Sequence, residues 1–91
     1  MKFEDLKFGP RLGGMAGIQA FAKFPNGYEA SIIRGFGSYG ADQGLYELAI
    51  FCGDDIVYDT PITDDVLGHL CPSDVTEILA QIEALPERAK P

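Results

Sequence analysis

The sequence predicts an α+β domain: a four-stranded antiparallel meander followed by two C-terminal helices packed on one of its faces. Three observations predict it. Strand-like apolar runs recur between residues 15 and 60, separated by Gly- and Asp-rich turns. Asn26-Gly27 stands between the first two runs, and this pair is a strong hairpin signal because both residues accept positive φ at little cost. Past residue 61, the alternation gives way to helical spacing. The 91 residues suit one domain, 1–91. A chain of this size buries only about 60–65% of its unfolded surface, so the core has little spare stability.

Residues 1–14 carry Gly9, Pro10, Gly13 and Gly14 among scattered charges and read as an irregular N-terminal segment. Its Phe3, Leu6, Phe8 and Leu12 are apolar enough to tuck onto a core. The sheet is expected over 15–60. In the run from Met15 to Phe24, Ile18, Ala20, Ala22 and Phe24 share one parity, against Gln19, Phe21 and Lys23 on the other. Tyr28 to Gly35 pairs back across Pro25-Asn26-Gly27. Residues 35–44 form a glycine-rich loop. Leu45 to Cys52 is the most strand-like run, Gly53-Asp54-Asp55 a turn, and Ile56 to Asp59 a short fourth strand. Three tight connections in succession imply antiparallel neighbours.

Helices are expected over 63–85. Thr63 can cap a short helix near 64–70, with Asp64 and Asp65 where a helix N-terminus favours negative charge. Cys71-Pro72 should break it. Ser73 caps the next helix, and Val75, Ile78, Leu79, Ile82 and Leu85 make its apolar stripe. Pro86 ends it, and a frayed tail is expected at 86–91.

The net charge is −7, and its distribution is uneven. Residues 35–87 hold eleven acids and no Lys or Arg. A one-sign field of this size repels nucleic acid and membrane surfaces and attracts basic protein surfaces. No apolar run nears the ~20 residues of a membrane helix, and the acids near the N-terminus do not fit a signal peptide. The expectation is a soluble cytoplasmic protein. In that compartment Cys52 and Cys71 are expected as reduced thiols.

Apparent motifs fail on context. Gly35-Phe36-Gly37-Ser38-Tyr39-Gly40 matches G-x-G-x-x-G, but a dinucleotide site needs a helix after the glycines. The next element here is a strand. A kinase-type loop would need a downstream lysine, and no lysine lies between residues 24 and 89. Arg34-Gly35-Phe36-Gly37 begins like an RNA-binding strand motif, which Ser38 and Gly40 then break. His69, Cys71 and Cys52 do not fit zinc spacing. The aspartates lack a calcium-loop pattern. His69 is the single histidine, and no nucleophile has an evident base partner. No enzyme activity, cofactor or metal is expected.

Several segments carry a resemblance: Phe24-Pro25-Asn26-Gly27-Tyr28, Ser31-Ile32-Ile33, Gly44-Leu45-Tyr46-Glu47-Leu48-Ala49, and Tyr58-Asp59-Thr60-Pro61-Ile62-Thr63-Asp64-Asp65-Val66, together with Tyr39. From about Leu12 to Leu85, the chain resembles a group of small acidic proteins encoded by tailed bacteriophages. The resemblance implies a non-enzymatic accessory protein acting in the cytoplasm of a bacterial host.

Charge and resemblance together lead to the expected function, inhibition of a host nucleic-acid-binding complex by DNA mimicry. The partner is a host protein with a basic nucleic-acid-binding groove, a Cas complex in the anti-CRISPR form of the idea. Direct contact with nucleic acid or membrane is not expected. Asp42, Glu47, Asp54, Asp55, Asp59, Asp64 and Asp65 are the expected partner-binding residues. The alternative is a structural or assembly module of a phage, self-associating as a homodimer through the sheet face that the helices leave open.

Overall fold

A computed structural model describes residues 1–63 and 65–88. Five strands lie side by side in chain order, all antiparallel: β1 (Gly9–Pro10), β2 (Gly17–Lys23), β3 (Tyr28–Gly35), β4 (Tyr46–Cys52) and β5 (Asp55–Ile56). A sixth, β6 (Leu67–Leu70), also pairs with β4, so β5 and β6 share the far edge of that strand. One α-helix, α1 (Pro72–Glu83), follows. Short 3-10 turns occupy Phe3–Asp5, Leu12–Gly14 and Ala41–Gln43.

Register assigns the faces. Ala20 pairs with Ile32, and Ile32 with Leu48. Ala22, Ala30 and Ile50 make the next row. These even-numbered residues point one way, and α1 lays Val75, Ile78, Leu79 and Ile82 against them. Ile32, Leu48, Ile50, Val75, Leu79 and Ile82 are the largest fully buried side chains. Each contributes about 1.5–3 kcal/mol of transfer free energy. The N-terminal segment closes one end of this face. Phe3 N–H donates to Thr76 Oγ1 at 2.8 Å, and the rings of Phe3, Phe8 and Tyr46 meet at centroid distances of 5.1–5.5 Å. The Arg34 guanidinium lies 5.0 Å from the Tyr46 ring centre and donates to its hydroxyl at 3.2 Å.

The Asn26 turn joins the sheet to the helix. Asn26 Nδ2 donates to the carbonyls of Ile82, Glu83 and Leu85 at 2.8, 3.4 and 3.1 Å. The amide thus adds to the hydrogen bonding at the end of α1, where the Ile82 carbonyl also accepts from Leu85 N–H. Asn26 Oδ1 accepts from Tyr28 N–H at 3.2 Å, and its carbonyl accepts from Arg88 N–H at 2.8 Å. Gly27 has φ +93°, and a Cβ there would lie 2.3 Å from the Arg88 carbonyl oxygen. One hairpin turn therefore also caps α1 and holds the chain beyond it.

The α+β class stands, but the expected four strands and two helices do not. Among the described residues the sheet has six strands, and a single C-terminal helix packs on it. Of the segment expected as a helix near 64–70, Leu67–Leu70 form β6, and Asp64 lies outside the described residues. Seven residues are too few for a stable helix, Gly68 weakens it further, and Pro72 disfavours helical geometry at Cys71. As a strand, the segment instead satisfies the backbone groups of β4, with Tyr46 opposite Leu70 and Leu48 opposite Leu67. Thr63 Oγ1 accepts from Asp65 N–H and so caps a turn rather than a helix.

Pro72 opens α1 instead of breaking a helix before it, because the first helical position needs no N–H. Cys71, not Ser73, is the N-cap. The expected strand at 56–59 shrinks to Asp55–Ile56, after which the chain turns inward to bury Val57 at 4% exposure. The irregular N-terminal segment contributes β1, and of the tail expected to fray at 86–91, Arg88 is docked on Asn26 and Asp59. Residues 89–91 lie outside the described residues.

Candidate functional site

The expected site residues divide along β4. Asp42 sits exposed on the 3-10 turn just before this strand, and Glu47 lies near its start. Glu47 is half-buried, and its Oε1 accepts from Tyr39 N–H at 3.0 Å. Asp54 and Asp55 are exposed at the opposite end, in the turn into β5. The five steps from Glu47 to Cys52 separate the two groups by roughly 17 Å. Asp65 is exposed two residues before β6 and so lies along the same edge of the sheet. Asp64 lies outside the described residues.

Asp59 is partnered within the chain. Arg88 Nη1 donates to its Oδ1 at 2.7 Å and Nη2 to its Oδ2 at 3.4 Å. The hydrogen bond from Arg88 holds the Asp59 carboxyl below the usual carboxylate range, and raises the Arg88 pKa in turn. The same guanidinium lies 5.8 Å from the Tyr28 ring centre. The seven expected residues are therefore not one cluster. Asp54, Asp55 and Asp65 follow the outer edge of β4, Asp42 and Glu47 stand at one end of it, and Asp59 is engaged by Arg88.

The expected set omits acids that the helix displays. Asp74 and Glu77 are exposed on the first turns of α1, and Glu83 and Glu87 are exposed near its far end. Their positions between the stripe residues of the helix were visible in the sequence. What was not visible was that α1 starts directly after β6, which brings Asp74 to the end of the sheet occupied by Asp42. Asp74 also has a local role. Its Oδ2 accepts from Cys71 N–H and from the Cys71 thiol, each at 3.1 Å, and the thiol bond in particular lowers the Asp74 pKa. Since its thiol donates to Asp74, Cys71 takes no part in a disulfide, and Cys52 is buried in the core.

Ion pairing is sparse on this surface. Among the described residues the salt bridges are Arg88–Asp59 and a looser one at 3.7 Å between the N-terminal amine and Glu83. The glycine-rich loop is used for turn geometry. Ser38 Oγ accepts from Gly35 N–H and donates to the Gly35 carbonyl, and Gly37, Gly40 and Gly44 all have positive φ. His69 is exposed in β6 at φ 56°. Among the described residues there is no pocket and no group of three metal-ligating side chains, and no helix is long and apolar enough to cross a membrane.

Set against family models, curated proteins and solved structures, the chain matches none of them.

Proposed function

We propose that this chain is a non-enzymatic phage accessory protein that binds and inhibits a nucleic-acid-binding complex in the host cytoplasm. Its carboxylates take the place of phosphates in that complex. The observation that carries the reading is the exposed acidic stretch. Of the eleven acids between residues 35 and 87, nine are exposed, and ion pairs among the described residues engage only Asp59 and Glu83. The remaining exposed carboxylates are available to an external cation.

Asp54, Asp55 and Asp65 are the best-placed members, because β5 and β6 lead them along one sheet edge with Asp42 beyond. That edge runs for roughly 20 Å along β4. One DNA strand places about six phosphates over the same length of helix axis. Asp42, Asp54, Asp55 and Asp65 set four carboxylates along that edge, so a groove lined with Lys and Arg would meet about two-thirds of one strand's negative charge. A Cas surveillance complex, whose basic channel holds a heteroduplex by its backbone, is the sharpest form of the target.

The test is a tagged pull-down from bacterial lysate, followed by binding assays on the purified target. Expected is a complex that duplex DNA displaces and that weakens as salt rises. The triple variant Asp54→Asn, Asp55→Asn, Asp65→Asn should bind at least about tenfold more weakly, since several charge contacts of about 1 kcal/mol each are lost. Unchanged affinity of this variant, or a target that holds the chain and DNA together, would remove the mimicry mechanism.

A further inference from the structure

The sheet has a second face, opposite α1, on which Phe21, Lys23 and Ile56 are exposed, Ser31 is buried and the rest are half-buried among the described residues. Odd-numbered residues of β2, β3 and β4 point there, in the rows Gln19–Ile33–Glu47, Phe21–Ser31–Ala49 and Lys23–Glu29–Phe51, the last extended by Ile56. Five of these ten side chains are apolar. A solvated antiparallel face normally reads polar. Here Phe21 is 48% and Ile56 37% exposed, and Ile33, Ala49 and Phe51 lie outside the core cluster. Gln19 links the face to its rim. Its Oε1 accepts from Leu12 N–H and its Nε2 donates to Ser31 Oγ, both at 2.9 Å. Leu12, 70% exposed, is thereby held at the border.

We infer that this open sheet face is a docking surface for a second copy of the chain. Charge selects that occupant. Two copies, each at −7, repel wherever their acidic surfaces meet. The open face carries only Lys23, Glu29 and Glu47, and Glu47 is already bonded to the Tyr39 backbone. Lys23 and Glu29 are cross-strand neighbours. A two-fold axis running along the strands between β2 and β3 places Lys23 of each copy over Glu29 of the other. The face is therefore complementary to itself, as a two-fold interface must be.

The sheet edges are poor competitors for the interface. β1 has two residues and ends at Pro10, which donates no ladder hydrogen bond, and the opposite edge is divided between β5, of two residues, and β6, of four. Size sets the strength. The three strands β2, β3 and β4, about 4.8 Å apart and each contributing about five residues of length, span roughly 14 by 17 Å. That footprint is under half of the ~800 Å² per partner of a standard interface. The dimer is weak and reversible.

Sedimentation equilibrium from about 5 µM to 1 mM tests this, with circular dichroism checking the fold of each variant. Wild type should pass from monomer to dimer, and more readily at high salt, which screens the net repulsion. Binding to a basic target responds to salt in the opposite sense, so the two proposals fail separately. Phe21→Glu should weaken the dimer at least tenfold, while Phe36→Glu, on a loop residue 77% exposed, should leave it unchanged. Lys23→Glu should weaken it, and Lys23→Glu with Glu29→Lys should restore it. A monomer throughout, a dimer indifferent to Phe21→Glu, or a charge swap that restores nothing would overturn the inference.

Discussion

Asn26→Ala removes one side chain and should loosen two structures. The amide donates to the Ile82 and Leu85 carbonyls at 2.8 and 3.1 Å, and more weakly to Glu83 at 3.4 Å, while its oxygen accepts from Tyr28 N–H at 3.2 Å. A net hydrogen bond is worth about 0.5–1.5 kcal/mol. Two well-formed bonds and two weaker ones give about 2–3 kcal/mol. A domain of this length has a total stability of roughly 5–14 kcal/mol. The loss should lower Tm by roughly 8–24 °C, at about 4–8 °C per kcal/mol.

Asn26→Asp separates the donor from the acceptor. It keeps the oxygen that serves Tyr28, loses the donors, and sets a negative charge against the negative end of the α1 dipole. It should cost at least as much as Ala. Urea unfolding followed by far-ultraviolet circular dichroism measures both variants. An Asn26→Ala loss below about 0.5 kcal/mol, or an Asn26→Asp variant as stable as wild type, would refute the capping argument.

Three other outcomes are expected. His69→Gly should stabilise the fold by up to about 1 kcal/mol, because a left-handed L-residue costs roughly 1–2 kcal/mol and glycine gives back only part of that in unfolded-chain entropy. A lower urea midpoint would show that the imidazole contributes packing that outweighs the backbone. Gly17→Ala should cost about 3 kcal/mol or more, since its Cβ would sit 2.3 Å from the Arg34 carbonyl oxygen at φ +121°, whereas Gly13→Ala meets open space and should cost less. Equal urea midpoints for the two would contradict the close approach of β2 and β3.

The third concerns acid. Asp59 and Asp74 both have pKa values below that of the unfolded chain. Their contribution is present above the ordinary carboxylate value near 3.8 and is lost as pH falls through the lower folded-state values. The double variant Asp59→Asn, Asp74→Asn should therefore show a flatter urea-midpoint profile below about pH 4 than wild type.

Residue chemistry alone accounts for the parts of this molecule whose causes are local. Asn26-Gly27 specifies a turn because its neighbours alternate on both sides. Tyr28–Gly35 carries its own strand pattern and is found with those bounds. Val75, Ile78, Leu79 and Ile82 announce an amphipathic helix whatever they pack against. The charge asymmetry is likewise a property of composition, and no fold could place a Lys or Arg between residues 35 and 87.

Where competing local options were nearly equal, the assembled sheet decided. Residues 67–70 could begin a short helix or complete an edge. The unpaired backbone of β4 favoured the strand, at the cost of a positive φ at His69. Gly9–Pro10 has no strand pattern of its own and pairs only because β2 offers Ile18 and Gln19. The second task of Asn26 depends on where α1 ends, fifty-seven residues further along the chain. The dispersal of the expected acidic site has the same origin. Residues adjacent in sequence need not share a surface, since β4 carries its two ends apart and Arg88 returns to engage Asp59. Which sheet face stays open is decided by register, because a shift of one residue exchanges the two faces, and only the packed helix selects between them.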